Sequence, residues 1–304
     1  MLRYKADVRT IIFLIITATL LVVLWQYGSE MSTPVWVLAY TAQLLMAVIV
    51  STMVHNHQHL PMWTVKWLNI LTDNILTVFY GFPVFAWIPT HNSNHHVHIN
   101  KEPDYTKTYM VSEKNNLITL LTYPSLSGYM QQKAVWGYFT NLWSQHRRKF
   151  YFHMIQVVVL VSWIAAAFIL DWKKALLYVF IPQQLSLFVV LIFNYIQHIH
   201  ADEESEYNSS RNMTGHLLNF LLLNNGLHTA HHASPGLHWS KLREKHNELA
   251  PKIDPRLNED NFAWYLFRVY ILGIFIPSCR THNMRLDRLQ QTKSKRVSNK
   301  AQLA

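Results

Sequence analysis

The sequence predicts an all-α integral membrane protein: a bundle of about four transmembrane helices carrying a helical cap, with a histidine-rich site for two metal ions where they meet. Three observations predict it. Half of the residues are apolar and only 14% are charged, against roughly 25% charged in a soluble domain. Four apolar runs approach the length that crosses a bilayer. Twelve of the eighteen histidines fall in four short groups, each beside a long apolar segment.

So few charges do not cover a soluble surface of this size, yet the mean hydropathy is only +0.04. A short bundle with a sizeable polar cap reconciles the two. The 304 residues read as a single domain, with spans at about 10–27, 35–54, 152–170 and 175–195. The cap takes 55–149 and 196–279, and a basic tail takes 280–304.

The first run, 10–27, carries no charge. No small-x-small pattern follows it closely and a second span comes soon after, so it reads as a retained anchor and not a cleaved leader. After a turn at 28–34, the span 35–54 runs straight into His55-Asn56-His57-Gln58-His59. Helical continuation puts His55 and His59 on one face, one turn apart, with His57 pointing away. The stretch 67–87 is apolar but interrupted by Asp73, Gly81 and Pro83, which predicts an interfacial or re-entrant segment. Asp73 reads as a solvated or capping acid. The segment delivers His91, His95, His96 and His98.

Residues 99–149 are polar and mixed, the first part of a water-exposed cap. The basic run Arg147-Arg148-Lys149 flanks the next span, and His146 and His153 read as interfacial. Spans 152–170 and 175–195 form a hairpin about 171–174, the second kinked at Pro182. It ends in Asn194-x-x-x-His198, with His200 just beyond. In Asn225-Gly226-Leu227-His228-Thr229-Ala230-His231-His232, three imidazoles at i, i+3 and i+4 share a helix face and can converge on one point. The aromatic stretch 262–277 is about sixteen residues long. Crossing the membrane would translocate a tail with seven basic residues between Arg280 and Lys300, against the positive-inside rule, so it is expected in the interface.

Four spans then place the N-terminus, all four histidine groups and the tail on the cytoplasmic side, in a bacterial inner membrane. Lys173 and Lys174, on the outer side, depart from the charge rule. With Cys279 the sole cysteine, neither a disulfide nor a thiolate metal site can form within the chain. The net charge of +10 suits an anionic membrane surface or an acidic partner. No nucleic-acid motif accompanies it. Imidazole-rich, carboxylate-poor groups favour iron, zinc or copper over calcium or magnesium. One ion needs roughly four to six ligands, so nine or ten histidines imply two. Two irons suit dioxygen activation, whereas a zinc pair would do hydrolysis.

HxxxH at 55–59, HxxxHH at 91–96 and HxxHH at 228–232, on one side of a four-span chain, resemble the membrane fatty-acid desaturase and hydroxylase superfamily over residues 35–240. Asn194-x-x-x-His198 is similar to a pair in acyl-CoA desaturases, where the histidine is a ligand and the asparagine holds a metal-bound water. The resemblance implies that His55, His59, His91, His95, His96, His198, His228, His231 and His232 bind two Fe2+ ions. Dioxygen, the co-substrate, is reduced there and hydrogen is abstracted from a fatty acyl chain, with no catalytic residue beyond the ligands. The second box departs from the usual HxxHH by one residue, which would rotate His91 away from its ligand position. Asn194, His57, His98 and His200 are expected near the site as hydrogen-bonding groups. No substrate-binding residue is fixed by the sequence, although Trp63, Trp67, Phe79, Trp87 and Phe193 lie close enough to the boxes to line a tunnel.

The resemblance favours desaturation, with hydroxylation or oxidative decarboxylation to a terminal alkene as alternatives on the same ligands. A metal carrier would place its ligands inside the spans near the midplane, not at helix ends. Electrons must come from a ferredoxin, rubredoxin or cytochrome-type donor, since the chain lacks cluster cysteines, a haem motif and a dinucleotide fingerprint. The basic tail is a candidate surface for that donor or for anionic membrane lipid.

Overall fold

The computed structural model describes the backbone of residues 1–302 and the side chains of residues 1–295. Among these, four helices are long and apolar enough to cross a membrane. The first two, α1 (Val8–Tyr27) and α2 (Thr33–His59), pack against each other. Pro34 sits in the first turn of α2, where its missing N–H is not needed. The helix runs five residues past its apolar stretch, so His55 and His59 occupy its last turns.

Helix α3 (Lys66–Tyr80) ends at Gly81, whose φ of +83° is the left-handed conformation of a helix stop. A side chain there would also collide with Gln183. The chain then bends by 94° into Val84–His98, so the interruption read at Gly81 and Pro83 is a bend between two helical pieces.

The polar composition of 99–149 gives no hint of the next element, the 29-residue helix α4 (Leu117–Gln145). Its start is fixed by a reciprocal cap: Asn116 Oδ1 accepts from the Thr119 amide and Thr119 Oγ1 from the Asn116 amide, both at 3.0 Å. Ile118, Tyr129, Trp136 and Trp143 are exposed and, at spacings of eleven, seven and seven, form one outward stripe.

After His146 the chain enters α5 (Arg147–Leu170) and then α6 (Trp172–His198). Asp171 joins them by accepting from the amides of Lys173 and Lys174 at 3.0 and 3.1 Å. Lys174 Nζ donates to the Trp25 carbonyl at 2.7 Å, a cation at the C-terminal end of α1. The distortion expected at Pro182 takes the form of a π turn over Leu176–Phe180, the wider turn that accommodates a missing amide.

Three short helices, α7 (His216–Leu221), α8 (His228–Ala233) and α9 (Leu242–Leu249), and two longer ones, α10 (Phe262–Phe275) and α11 (Met284–Gln302), follow. A pair of two-residue parallel strands, β1 (Asn212–Met213) and β2 (Asn258–Glu259), ties 212 to 258. One apolar core continues from Ile49, Val50 and Met53 of α2 into Leu223, Leu227 and Tyr265 of the polar part, and a smaller one holds Leu24, Ala175 and Tyr178.

Asp7, just before α1, and the first turns of α11 both pack on the polar part of the chain. Asp7 lies 3.1 Å from His238 Nε2 and accepts from Trp239 Nε1 at 2.9 Å. In α11, Arg285 pairs with Glu113 and Glu203, and Arg288 with Asp202 and Glu203. Arg280 Nε donates to the Gly273 carbonyl at 2.7 Å. Three of the seven basic residues read as a docking surface are thus engaged within the chain, while the side chains of Arg296 and Lys300 lie outside those described.

Gly226, two residues before α8, is a packing glycine. A Cβ there would overlap the Met213 carbonyl and stand 2.9 Å from Asn219 Oδ1. Gly226→Ala is expected to destabilise by roughly 1–3 kcal/mol, seen as a lower unfolding temperature in detergent. Gly236→Ala, where a Cβ meets nothing within 4 Å, is the control.

Candidate metal centre

Nine histidines, drawn from all four groups, assemble into two clusters. His55 and His59 of α2, His91 and His96 of the 84–98 segment and His231 of α8 bring their donor atoms within 4.8 Å of one another; His95, His198 of α6, and His228 and His232 of α8 do the same. The adjacent pairs His95/His96 and His231/His232 each divide, one residue to each cluster, which sets the clusters side by side. The three imidazoles at 228, 231 and 232 therefore do not converge on one point. His228 and His232, one turn apart, share a cluster with their Nε2 atoms 3.1 Å apart, and His231 faces the other.

The spacing of the second box is resolved by backbone geometry. In an α-helix, residues five apart face roughly 140° apart. Here Ile88–His95 is a π-helix, and the His96 amide donates to the His91 carbonyl five residues back. The extra residue is absorbed in the wider turn, and His91 Nε2 stands 3.1 Å from His96 Nε2. The rotation expected of His91 does not occur.

In the first cluster, the Nε2 atoms of His55, His91, His96 and His231 form a closed ring with edges of 3.1, 3.1, 2.9 and 3.0 Å. The rings of His91 and His231 are 12° from parallel with centroids 6.2 Å apart, as opposite corners would be. Those edges bring four nitrogen donors close enough together to share one ion. His59 is the fifth member, its Nε2 buried without a hydrogen-bond partner. In the second cluster, His198, His228 and His232 form a triangle of Nε2 atoms with edges of 3.0, 3.1 and 3.2 Å. His95 completes it, with Nε2 likewise buried and unpartnered. The donor set fits borderline metal ions.

Outer-nitrogen contacts orient two of the rings, whereas Nδ1 of His55, His96, His228 and His232 is buried without a hydrogen-bond partner. His95 Nδ1 lies 2.8 Å from Asp104 Oδ2 and 2.9 Å from Thr106 Oγ1. His198 Nδ1–H donates to the Ser209 carbonyl at 3.1 Å. Both arrangements leave Nε2 facing inward. Burial alone would raise the Asp104 carboxyl, but His95 and the amide and hydroxyl of Thr106 hold it below the usual carboxylate range. Burial, and then the neighbouring imidazoles, lower His228, His231 and His232 well below the ordinary histidine value. They are therefore neutral with free lone pairs, the form that ligates metal. Asp104 escaped the sequence reading. The only available signal was an acid nine positions beyond His95.

The remaining candidates lie outside the clusters. His57 Nδ1 accepts from the Met62 amide at 3.2 Å, and its Nε2 is 3.6 Å from Asp73. Asp73 also accepts from Gln58 at 2.8 Å, so it binds neighbouring side chains of α2 where a solvated or capping acid was expected. His98 is partly exposed. His200 ties distant segments together, through the Glu113 carbonyl at 2.8 Å and Thr281 Oγ1 at 2.7 Å. Asn194 Nδ2 donates to Tyr123 Oη at 2.6 Å. His153 contacts Tyr138 Oη at 3.2 Å.

A cavity of about 210 Å³ begins at the histidines and extends between α2, α4 and α6. His55 and His91 of one cluster, His228 of the other, and Asn194 form its polar end, and Tyr80, Phe82, Leu187 and Val190 part of its apolar remainder. Of the five aromatic lining candidates, Trp87 and Phe193 border it. Trp63 instead donates to Thr72 at 2.9 Å, Trp67 is exposed, and Phe79 packs against both cores.

Comparison with curated proteins and with solved structures finds no match. The profile described as fatty acid desaturase matches residues 31–264, a stretch that contains all nine clustered histidines, Asp104 and every residue named along the cavity. On that match, which covers most of its length, the chain belongs to the fatty acid desaturase family.

Proposed function

We propose that this membrane protein is an oxygen-dependent diiron desaturase that introduces a double bond into a long acyl chain. Family membership makes it an oxidoreductase of the fatty-acid desaturase and hydroxylase type; the reaction, the iron and the ligand roles are our reading. One observation carries it: imidazoles from both clusters meet at the polar end of a single apolar cavity.

When bound there, two ferrous ions supply the reduction of dioxygen and the removal of hydrogen from an unactivated C–H bond. The chain's own residues do the rest. Five histidines would hold one ion and four the other. Asp104 and the Ser209 carbonyl keep His95 and His198 turned inward. Trp87 and Phe193 exclude water from the methylene chain, and Tyr123 holds the Asn194 amide at the cavity wall. Desaturation needs two adjacent methylenes presented in turn, which a cavity flanked by both clusters favours. Electrons come from an external ferredoxin, rubredoxin or cytochrome-type donor, and the histidine end faces the cytoplasm of a bacterial inner membrane.

The test is mass spectrometry of fatty acids and headspace hydrocarbons from a host expressing the chain, against a host expressing the His231→Ala, His232→Ala double variant. New unsaturated acids of unchanged carbon number, absent from the control, are expected. Hydroxy acids, or terminal alkenes one carbon shorter, would overturn desaturation while keeping the metal centre.

A further inference from the structure

We propose that the acyl chain enters the cavity sideways from the bilayer, through a gap between α4 and α6 kept open at Gly128, so that the substrate is a membrane-dissolved lipid whose headgroup stays outside the protein. The proposal rests on the reading of the cavity as the substrate site.

The cavity wall is uneven. On the side of α2 and the 84–98 segment it is made of buried residues such as Thr52, His55, Trp87 and Thr90. On the opposite side, Gly128, Gln131 and Val135 of α4 and Leu187 and Leu191 of α6 are only partly buried, and Gln132 is exposed. The cavity therefore reaches the surface between these two helices.

With α6 read as a membrane span, that surface falls at bilayer depth, although α4 lies in the stretch expected to be a water-exposed cap. Leu187 and Leu191 precede His198 by eleven and seven residues, which puts them about 10–16 Å from the histidine end of a spanning helix. A hydrocarbon core of about 30 Å covers that depth. The stripe Tyr129, Trp136 and Trp143 on α4 has the aromatic character of a bilayer interface anchor.

The chemistry of the passage fits a neutral chain. Among the described residues, no Lys, Arg, Asp or Glu lines the cavity. A phosphate-bearing or carboxylate head would find no counter-ion inside, and its burial would be costly.

Gly128 is the position that sets the width. Its backbone does not require glycine, since φ is not positive, and a Cβ would meet only Leu191 Cδ1, at 3.9 Å. Alanine thus fits, while a large side chain would fill the gap. Gly137, on the same helix, has nothing within 4 Å of a Cβ and does not line the cavity, so it provides a matched control.

The experiment uses purified full-length protein in phospholipid nanodiscs containing a long-chain fatty acid with a mid-chain diazirine. After irradiation, labelled peptides are identified by mass spectrometry. Wild type, Gly128→Ala and Gly137→Phe are expected to carry label on peptides containing Trp87 and Phe193, and Gly128→Phe to lose it while keeping its helical circular dichroism. If Gly128→Phe does not fold, Gly128→Leu serves as the smaller plug. Undiminished interior label in the folded plugged variant, or no interior label in wild type, would overturn the proposal. Labelling needs neither metal nor turnover, so a host that makes no new product would sink the functional reading without deciding this one.

Discussion

His231→Ala and His232→Ala are each expected to abolish product, but by acting on different ions. His231 is a corner of the four-nitrogen ring, 3.0 Å from His55 Nε2 and 2.9 Å from His96 Nε2. His232 belongs to the triangle with His198 and His228. Removing His231 leaves four imidazoles around the first site; removing His232 leaves three around the second. The second variant should therefore lose more metal, falling from about two ions per chain to about one, since a tight site takes roughly four ligands. Losing even the hydrogen-bond partner of a ligand weakens a site 10–100-fold, so turnover should drop by roughly 100-fold or more in both variants. Metal analysis of detergent-purified protein alongside product analysis checks this. Two ions and normal product in either variant would remove that histidine from the ligand set.

Asp104→Ala is expected to be nearly as damaging without touching a ligand. Asp104 meets His95 at 2.8 Å and also accepts from the amides of Asn100 and Thr106, both at 2.7 Å, and from the Thr106 hydroxyl at 2.8 Å. It thus fixes His95 and folds the loop behind it. Affinity at the second site should fall 10–100-fold, measured by chelator competition. Asp104→Asn keeps the size and part of the hydrogen bonding, so it should restore the unfolding temperature of the metal-free protein more fully than the affinity. Equal recovery of both would mean that Asp104 only supports the loop.

The spans were legible because uncharged runs of bilayer length have few other uses, and the clustered histidines because i, i+4 pairs at helix ends recur. How His231 and His232 divide was not legible, since their shared helix face does not say which neighbour approaches from which side. Helix α4 was hidden because its outward aromatics alternate with Gln132, Lys133 and Thr140, so no window of it is apolar throughout. Asp104 and the acids that engage Arg285 and Arg288 depend on contacts made by the folded chain; Arg285 and Glu113 are separated by 172 positions. Local pattern carries no record of such pairs.

The π turn at 88–95 bears on what a histidine motif means. Inserting one residue into a ligand-bearing helix ordinarily turns everything beyond it by about 100°, which would scramble a metal site. Taken up in the eight-residue π stretch, the insertion is absorbed locally, and the imidazoles at its two ends still meet. HxxHH on an α-turn and HxxxHH on a π-turn are then two spellings of one arrangement of imidazoles: in each, the first and last histidine share a cluster and the middle one faces the other. In a comparison of such chains, the extra residue is an alignment gap, and the number of letters between histidines is a weaker guide to chemistry than the hydrogen bond that closes the loop between them.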